Sequence, residues 1–353
     1  MPIVTGDGMV WAGAWGGGQV VWGGGRVLEA VLACGAIVAA TEPLTIALLR
    51  RHAVMDVPGR RSSHTVATPR GGGAPIALGL VAAALIAPAS GPARLATVAA
   101  VGFFGLLGML DDLRGLPAVT RLALQFAGSA MVAALLVARL ALPAPALLAA
   151  AVAIAVWLAG FVNAFNFMDG VNGISGAHAL IGGVAYACLA AARQDRFGAA
   201  AGLALAAGAV IFLPWNALRA RVFLGDVGSY SIGAALAVLA VRLLERGVPV
   251  EAVAGPVALY LADVAWTLQR RIRHGERWLE AHRTHVYQRW CDAGWSHQEV
   301  TVLTSALTVL LCLLGLASMA GQPEGRLAAD LCGLAAIAAY LASPRFFRQT
   351  GRA

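Results

Sequence analysis

FFGLLGMLDDLRGLP, residues 103–117, joins an apolar run that begins near Leu95 to two adjacent acids, Asp111 and Asp112, with Arg114, Gly115 and Pro117 close behind. Read as a membrane helix, the run ends with both acids at its C-terminus. There the helix dipole already concentrates partial negative charge and costs each carboxylate about 0.3–1 kcal/mol. Two carboxylates so placed require a cation, and hard oxygen ligands near a membrane surface suit Mg²⁺ shared with phosphate groups. The plainer reading is a solvated helix end.

The rest of the chain has the same character. Of its 353 residues, 59% are hydrophobic and 12% charged, against about 45–50% and about 25% in soluble domains. The expected fold is therefore all-α, a polytopic integral membrane protein with ten or eleven transmembrane helices. Eleven apolar segments approach the length needed to span: 27–49, 74–89, 95–110, 122–142, 146–162, 175–192, 198–215, 230–244, 250–268, 300–320 and 327–343. Several are short, hence the lower count of ten. Residues 1–25 are rich in Gly and Trp and lack a basic segment ahead of a hydrophobic core. They read as a disordered tail or an over-extended start, not a signal peptide. Residues 26–345 read as one transmembrane domain and 346–353 as a short tail. The five cysteines are scattered without a C-x-x-C pair, so neither a disulfide framework nor a zinc site is expected.

All 26 basic residues are Arg, and the net charge is +8. With eleven spans, eighteen of the arginines fall on one side, which the positive-inside rule makes cytoplasmic, with the N-terminus outside and the C-terminus inside. The basic balance is thereby explained without a nucleic-acid partner. The same side carries every loop rich in polar, chemically capable residues: 50–75, 110–121, 163–175, 216–229 and 269–290. Five loops on one face point to a single site at the cytoplasmic membrane surface.

In those loops Asp226, in FLGDVGS, is either a turn residue before a helix capped by Ser229 or a third carboxylate around the cation of Asp111 and Asp112. Asn163, Asn166, Asp169 and Asn172 lie in NAFNFMDGVNG. Amides this close to lipid need partners, at about 1–3 kcal/mol for each unpaired group. They either join helices or recognise a nucleobase or sugar amide. RRIRHGERWLEAHRTHVYQR is a basic inner loop or a lipid contact. Alternatively His282 and His285, interleaved with Arg283 and Arg289, set an imidazole and guanidinium groups against a diphosphate. Asp263, inside the ninth apolar run, is a functional candidate or a partner of Arg270 or Arg271.

Five motifs in order, DVPGRRSSHTVATPRGGG, LDDL, NAFNFMDGVNGISG, FLGDVGS and HRTHVYQR, resemble those of the polyprenyl-phosphate N-acetylhexosamine-1-phosphate transferase family, from about Arg50 to Arg289. The resemblance implies catalytic roles for Asp111, Asp112 and His285. It implies Mg²⁺, or Mn²⁺ in its place, on Asp111, Asp112 and Asp226, and substrate contacts from His64, Arg70, Asn163, Asp169, Asn216, His282 and Arg283. Asn172 stands where the family often has Asp, which argues against a metal or base role there. AHRTHVYQR, in place of a run of consecutive histidines, is more similar to the branch that initiates O-antigen synthesis than to the peptidoglycan enzyme.

The implied reaction transfers N-acetylhexosamine 1-phosphate from a UDP-sugar to undecaprenyl phosphate in the bacterial inner membrane, giving UMP. Asp111 is then a general base or a nucleophile, and the resemblance leaves both open. It also admits a homodimer in the membrane lipid. The alternatives are the phospho-N-acetylmuramoyl-pentapeptide transferase of peptidoglycan synthesis and, from another class, a proton-coupled transporter. The transporter is opposed by acids gathered at one surface with no internal repeat.

Overall fold

The computed structural model describes residues 2–5, 8–11, 20–21, 24–58, 66–88, 91–138, 140–276, 283–320 and 322–346. The membrane domain is built from helices α1 (Gly25–Arg51), α2 (Ala74–Ile86), α3 (Gly91–Arg114), α4 (Ala118–Val137), α5 (Ala144–Met168), α6 (Ile174–Ala192), α7 (Arg196–Asn216) and α8 (Gly225–Glu245). It continues with α9 (Val250–Ala254), α10 (Ala258–Arg273), α11 (Val286–Asp292), α12 (His297–Ala320) and α13 (Pro323–Ala342). Among the described residues nine of these, α1, α3 to α8, α12 and α13, are long and apolar enough to cross a membrane. The all-α polytopic architecture is as the composition requires.

Two of the eleven segments differ from a simple span. α2 has only 13 residues. The segment 250–268 is broken at Gly255-Pro256 into α9 and α10, because Pro256 supplies no N–H and its ring excludes the preceding turn from regular helix. The Gly- and Trp-rich N-terminus also departs from a structureless tail. It pairs β1 (Pro2–Thr5), β2 (Gly8–Trp11) and β3 (Val20–Val21) into an antiparallel sheet. Ile3, Val4, Val10, Val20 and Val21 supply the β-branched residues that favour strands.

α8 is the central helix. From Gly225 to Leu243 all its residues are buried, as expected of a helix apolar on every side. α3 lies against it with close backbone approach at Gly105 and Gly108, where a Cβ would stand 2.7 Å from Ser231 Oγ and 2.2 Å from the Asp226 carbonyl oxygen. α6 and α7 meet at Gly183 and Gly202 in the same way, each Cβ position 2.6 Å from the other's carbonyl oxygen. Small residues permit such contact where lipid gives no hydrophobic drive to association.

Because successive helices alternate in direction, the C-terminal ends of α1, α3, α5 and α7 and the N-terminal ends of α2, α4, α6 and α8 share one end of the bundle. The opposite end is tied by a buried ion pair. Asp195, just ahead of α7, accepts from Arg242 Nε at 2.5 Å and Nη2 at 2.6 Å, and Arg242 also lies 5.0 Å over the Phe197 ring. Removing Arg242 leaves the buried Asp195 charge with only the longer contact to Arg246 at 3.9 Å. Arg242→Ala is therefore expected to lower stability by about 3–5 kcal/mol, read as an earlier thermal transition in detergent, with unchanged turnover in whatever protein stays folded. An unaltered transition would contradict this.

Candidate active site

The acids of the opening motif sit where the sequence places them, at the C-terminal end of α3, and the structure shows what offsets the unfavourable dipole. Asp112 faces the N-terminus of α8. Its Oδ1 accepts from the Asp226 N–H and its Oδ2 from the Val227 N–H, both at 2.9 Å. These are two of the donors that a helix start leaves without internal partners, so one helix's acid caps another. Arg70 Nε adds an ion pair to Asp112 at 2.7 Å, and Arg70 Nη2 reaches Asp226 Oδ2, also at 2.7 Å. Asp226 lies in the first turn of α8, on the favourable side of that dipole, and its Oδ1 accepts from Asn166 Nδ2 at 2.8 Å. Asn166 also donates to Ser229 Oγ at 2.9 Å. Ser229 is thus inside α8 and not its cap.

Backbone pairing holds Arg70 in place. β4 (Met55–Asp56) and β5 (Thr68–Pro69) form a two-stranded ribbon, and the chain beyond it runs alongside the FLGD loop. Phe223 N donates to Pro69 O at 2.8 Å, and Gly71 N and Gly72 N both donate to Phe223 O. Gly225, with φ +75°, could not carry a side chain here, since its Cβ position is 2.6 Å from Asp112 Oδ2 and 2.7 Å from Gly71 N.

Asp111 turns elsewhere. It accepts from Leu116 N at 2.9 Å, the Tyr230 hydroxyl at 2.9 Å and Arg121 Nη1 at 3.2 Å. Among the described residues no three His, Cys, Asp or Glu side chains converge as a metal cage. Asp112 and Asp226 make a pair bridged by Arg70, and Asp111, held by Arg121 and Tyr230, lies close to Asp226.

The amides behave differently from one another. Asn163 Nδ2 is engaged by Gln125 Oε1 at 2.6 Å and Ala159 O at 2.8 Å, tying α5 to α4. Buried Asn216 accepts from Gly173 N at 2.7 Å and donates to Val222 O at 3.0 Å, so it clamps the DGVNG loop to the FLGD loop. Asp169 follows α5, half-buried. Burial pushes its carboxyl up to about 6, and the charge of Asp226 acts in the same sense. Arg283 pairs with Asp292 at 3.1 Å. Asp263 pairs with His285 at 3.0 Å, and Arg271 goes to Glu276 instead. His64 and His282 lie outside the described residues.

The chain is similar over most of its length to bacterial enzymes of lipid-linked sugar synthesis. It is 30% identical over 319 residues to the decaprenyl-phosphate N-acetylglucosaminephosphotransferase of Mycobacterium tuberculosis, covering 79% of this chain and 78% of that one. The profile of glycosyl transferase family 4 matches residues 94–244. The chain belongs to this family, the polyprenyl-phosphate N-acetylhexosamine-1-phosphate transferases. The family 4 chain is also 24% identical over 284 residues to the probable undecaprenyl-phosphate N-acetylglucosaminyl 1-phosphate transferase of Bacillus subtilis, covering 77% of this chain and 79% of that one. The phospho-N-acetylmuramoyl-pentapeptide-transferase of Bacillus thuringiensis matches at 32% over 160 residues, only 45% of this chain and 48% of that one.

In this family 4 protein, sequence reasoning missed Arg121 and Tyr230, which hold Asp111, and left Asn166 divided between two roles. Its signal was its spacing, three residues from both Asn163 and Asp169 around the C-terminal end of α5. The Asn216 clamp has a measurable consequence. Asn216→Ala leaves two buried backbone groups unpaired, and stability should fall by about 1–3 kcal/mol. If Asn216 served only as a nucleotide contact, KM would rise with no change in thermal unfolding.

Proposed function

We propose that this family 4 transferase moves N-acetylhexosamine 1-phosphate from a UDP-sugar to undecaprenyl phosphate, releasing UMP, at the cytoplasmic face of the bacterial inner membrane. The observation that carries the reading is the Asp112–Arg70–Asp226 bridge at one end of the bundle, with two near-buried carboxylates sharing one partly exposed guanidinium. The distribution of arginines supports the cytoplasmic orientation.

The donor set is all oxygen. Three acids face two arginines, Arg70 and Arg121, so one negative charge is in surplus, which fits a hard divalent cation. Asp112 and Asp226 would hold Mg²⁺, or Mn²⁺ in its place. When bound, the ion would neutralise the donor diphosphate as the P–O bond breaks. Arg70, whose side chain is 38% exposed, is placed to pass from the acids to a substrate phosphate, and a guanidinium suits that ligand. Asp111 accepts three hydrogen bonds, which blunts it as a nucleophile and favours direct attack by the lipid phosphate. That attack needs little base, since the second ionisation of a phosphate monoester lies near pH 6. Asp169 and the loops clamped by Asn216 would receive the nucleotide, and Arg283 and His285 the phosphates.

The full-length relatives' names make N-acetylglucosamine the first sugar to offer. The lipid-linked product would initiate a cell-surface polysaccharide, O-antigen being one such polymer. Purified protein with undecaprenyl phosphate and Mg²⁺ is expected to release UMP with one UDP-N-acetylhexosamine, and EDTA should abolish it. Release with UDP-N-acetylmuramoyl-pentapeptide alone would move the enzyme to the peptidoglycan branch. No release from folded protein with any donor would overturn the reading.

A further inference from the structure

Residues 169–173, the DGVNG loop, join α5 to α6 without helix or strand, and side chains from three other elements hold them. Both backbone polar groups of Asn172 are engaged by α12. Its N–H donates to His297 Nδ1 at 3.3 Å, and its carbonyl accepts from Thr301 Oγ1 at 2.9 Å. His297 and Thr301 stand at i and i+4, so they share one face of that helix. Next along the loop, Gly173 N donates to Asn216 Oδ1 at 2.7 Å. At the other end the Tyr287 hydroxyl of α11 donates to Phe167 O at 2.9 Å, in the last turn of α5. The same hydroxyl closes over Gly170, where a Cβ would lie 2.1 Å from it.

A short loop held at both ends is preorganised. A ligand that meets it does not bear the cost of ordering it, and binds more tightly for that reason. The acids and Arg70 are fixed separately, by the start of α8 and by the pairing of Pro69, Gly71 and Gly72 with Phe223. A change in α11 or α12 therefore slackens the loop, with Asp169 at its head, and leaves the charged bridge in place.

We infer that Tyr287, His297 and Thr301 are positioning residues for the nucleotide: α11 and α12, which follow the residues 94–244 matched by the family profile, set how tightly the DGVNG loop holds the UDP moiety. The inference rests on the proposed reading of that loop as the one that receives the nucleotide.

Thr301→Val keeps the branched shape and removes the hydroxyl, and Tyr287→Phe removes only the oxygen. In the UMP-release assay each is expected to raise KM for the UDP-sugar about three- to tenfold, the scale of one net hydrogen bond. The kcat and the KM for undecaprenyl phosphate should stay within about twofold of wild type, as for a loss of uniform binding. Thr304→Val is the control. Thr304 lies in the next turn of α12 and its Oγ1 donates to Val300 O and Thr301 O of the same helix, so KM for the UDP-sugar should not change. If α11 and α12 served stability alone, Thr301→Val would act as Thr304→Val does and keep the wild-type KM, which would overturn the inference. Calorimetry with UMP gives a readout without turnover: wild type should bind, and Thr301→Val and Tyr287→Phe should bind about three- to tenfold more weakly. Equal UMP affinity in folded Thr301→Val and wild type would overturn the inference and leave the transferase reading standing, whereas folded wild type that binds no UMP would overturn both. If Tyr287→Phe does not fold, Thr301→Val decides alone.

Discussion

Asp226→Asn and Asp112→Asn should each reduce turnover by about 10²–10³-fold, the scale of losing one preorganised charge interaction in a water-poor site. Each exchange keeps side-chain size and one oxygen. In Asp112→Asn the remaining oxygen still accepts from one N–H at the start of α8, and in Asp226→Asn the pair of Arg70 with Asp112 at 2.7 Å survives. The fold should therefore persist while the site loses half of its paired negative charge. The loss should appear in kcat together with a weaker dependence on added Mg²⁺. Wild-type turnover and unchanged Mg²⁺ dependence in either variant would remove that carboxylate from the reaction. Asp111→Asn is the informative neighbour, because Asp111 is bound to Arg121 and Tyr230 and not to Arg70. Its turnover should fall without the change in Mg²⁺ dependence.

Gly108→Ala should have an effect of similar size for a different reason. A Cβ at this position would stand 2.2 Å from the Asp226 carbonyl oxygen and 2.6 Å from Val227 N. Those atoms are backbone, so no side-chain rotation relieves the clash, and α3 must move away from α8. Overpacking of this kind costs about 1–3 kcal/mol. The movement also stretches the two 2.9 Å bonds by which Asp112 caps α8. A misplacement of about 1 Å in a catalytic group lowers rate by about 10²-fold, so Gly108→Ala should lose that much turnover and melt earlier. Gly91→Ala, on the same helix with nothing within 4 Å of the Cβ position, should do neither. Full activity in Gly108→Ala would show that the α3–α8 approach does not set the site.

The apolar segments, their number to within one or two, and the face that gathers the polar loops were all legible in the sequence, because each depends on local composition and on helices alternating in direction. The acid pair of α3 was legible for the same reason: charge ends an apolar run. The partners were not. Asp112 and Asp226 are 114 residues apart, and nothing in LDDL or FLGD announces that one acid will cap the other's helix or that Arg70 will bridge them. Asp263 was visible as an acid inside an apolar run, yet its nearest basic neighbours, Arg270 and Arg271, were the natural guess. Its actual partners, His285 and Tyr340, come from two later elements. Pro256 was a legible helix break, overridden in the reading by the length of the apolar run around it. Asn163 and Asn216 carry the right chemistry for a nucleotide, and the helix and loop contacts that their amides make are revealed only by the packed structure.

Transfer of a phosphosugar, and not of a bare sugar, is tested by the fate of one phosphorus atom. UDP-N-acetylglucosamine labelled with ³²P in the β-phosphate, incubated with the purified chain, undecaprenyl phosphate and Mg²⁺, should place the label in the butanol-extractable lipid and leave unlabelled UMP in water. Label recovered in water as UDP, with the sugar alone on the lipid, would contradict the proposed reaction.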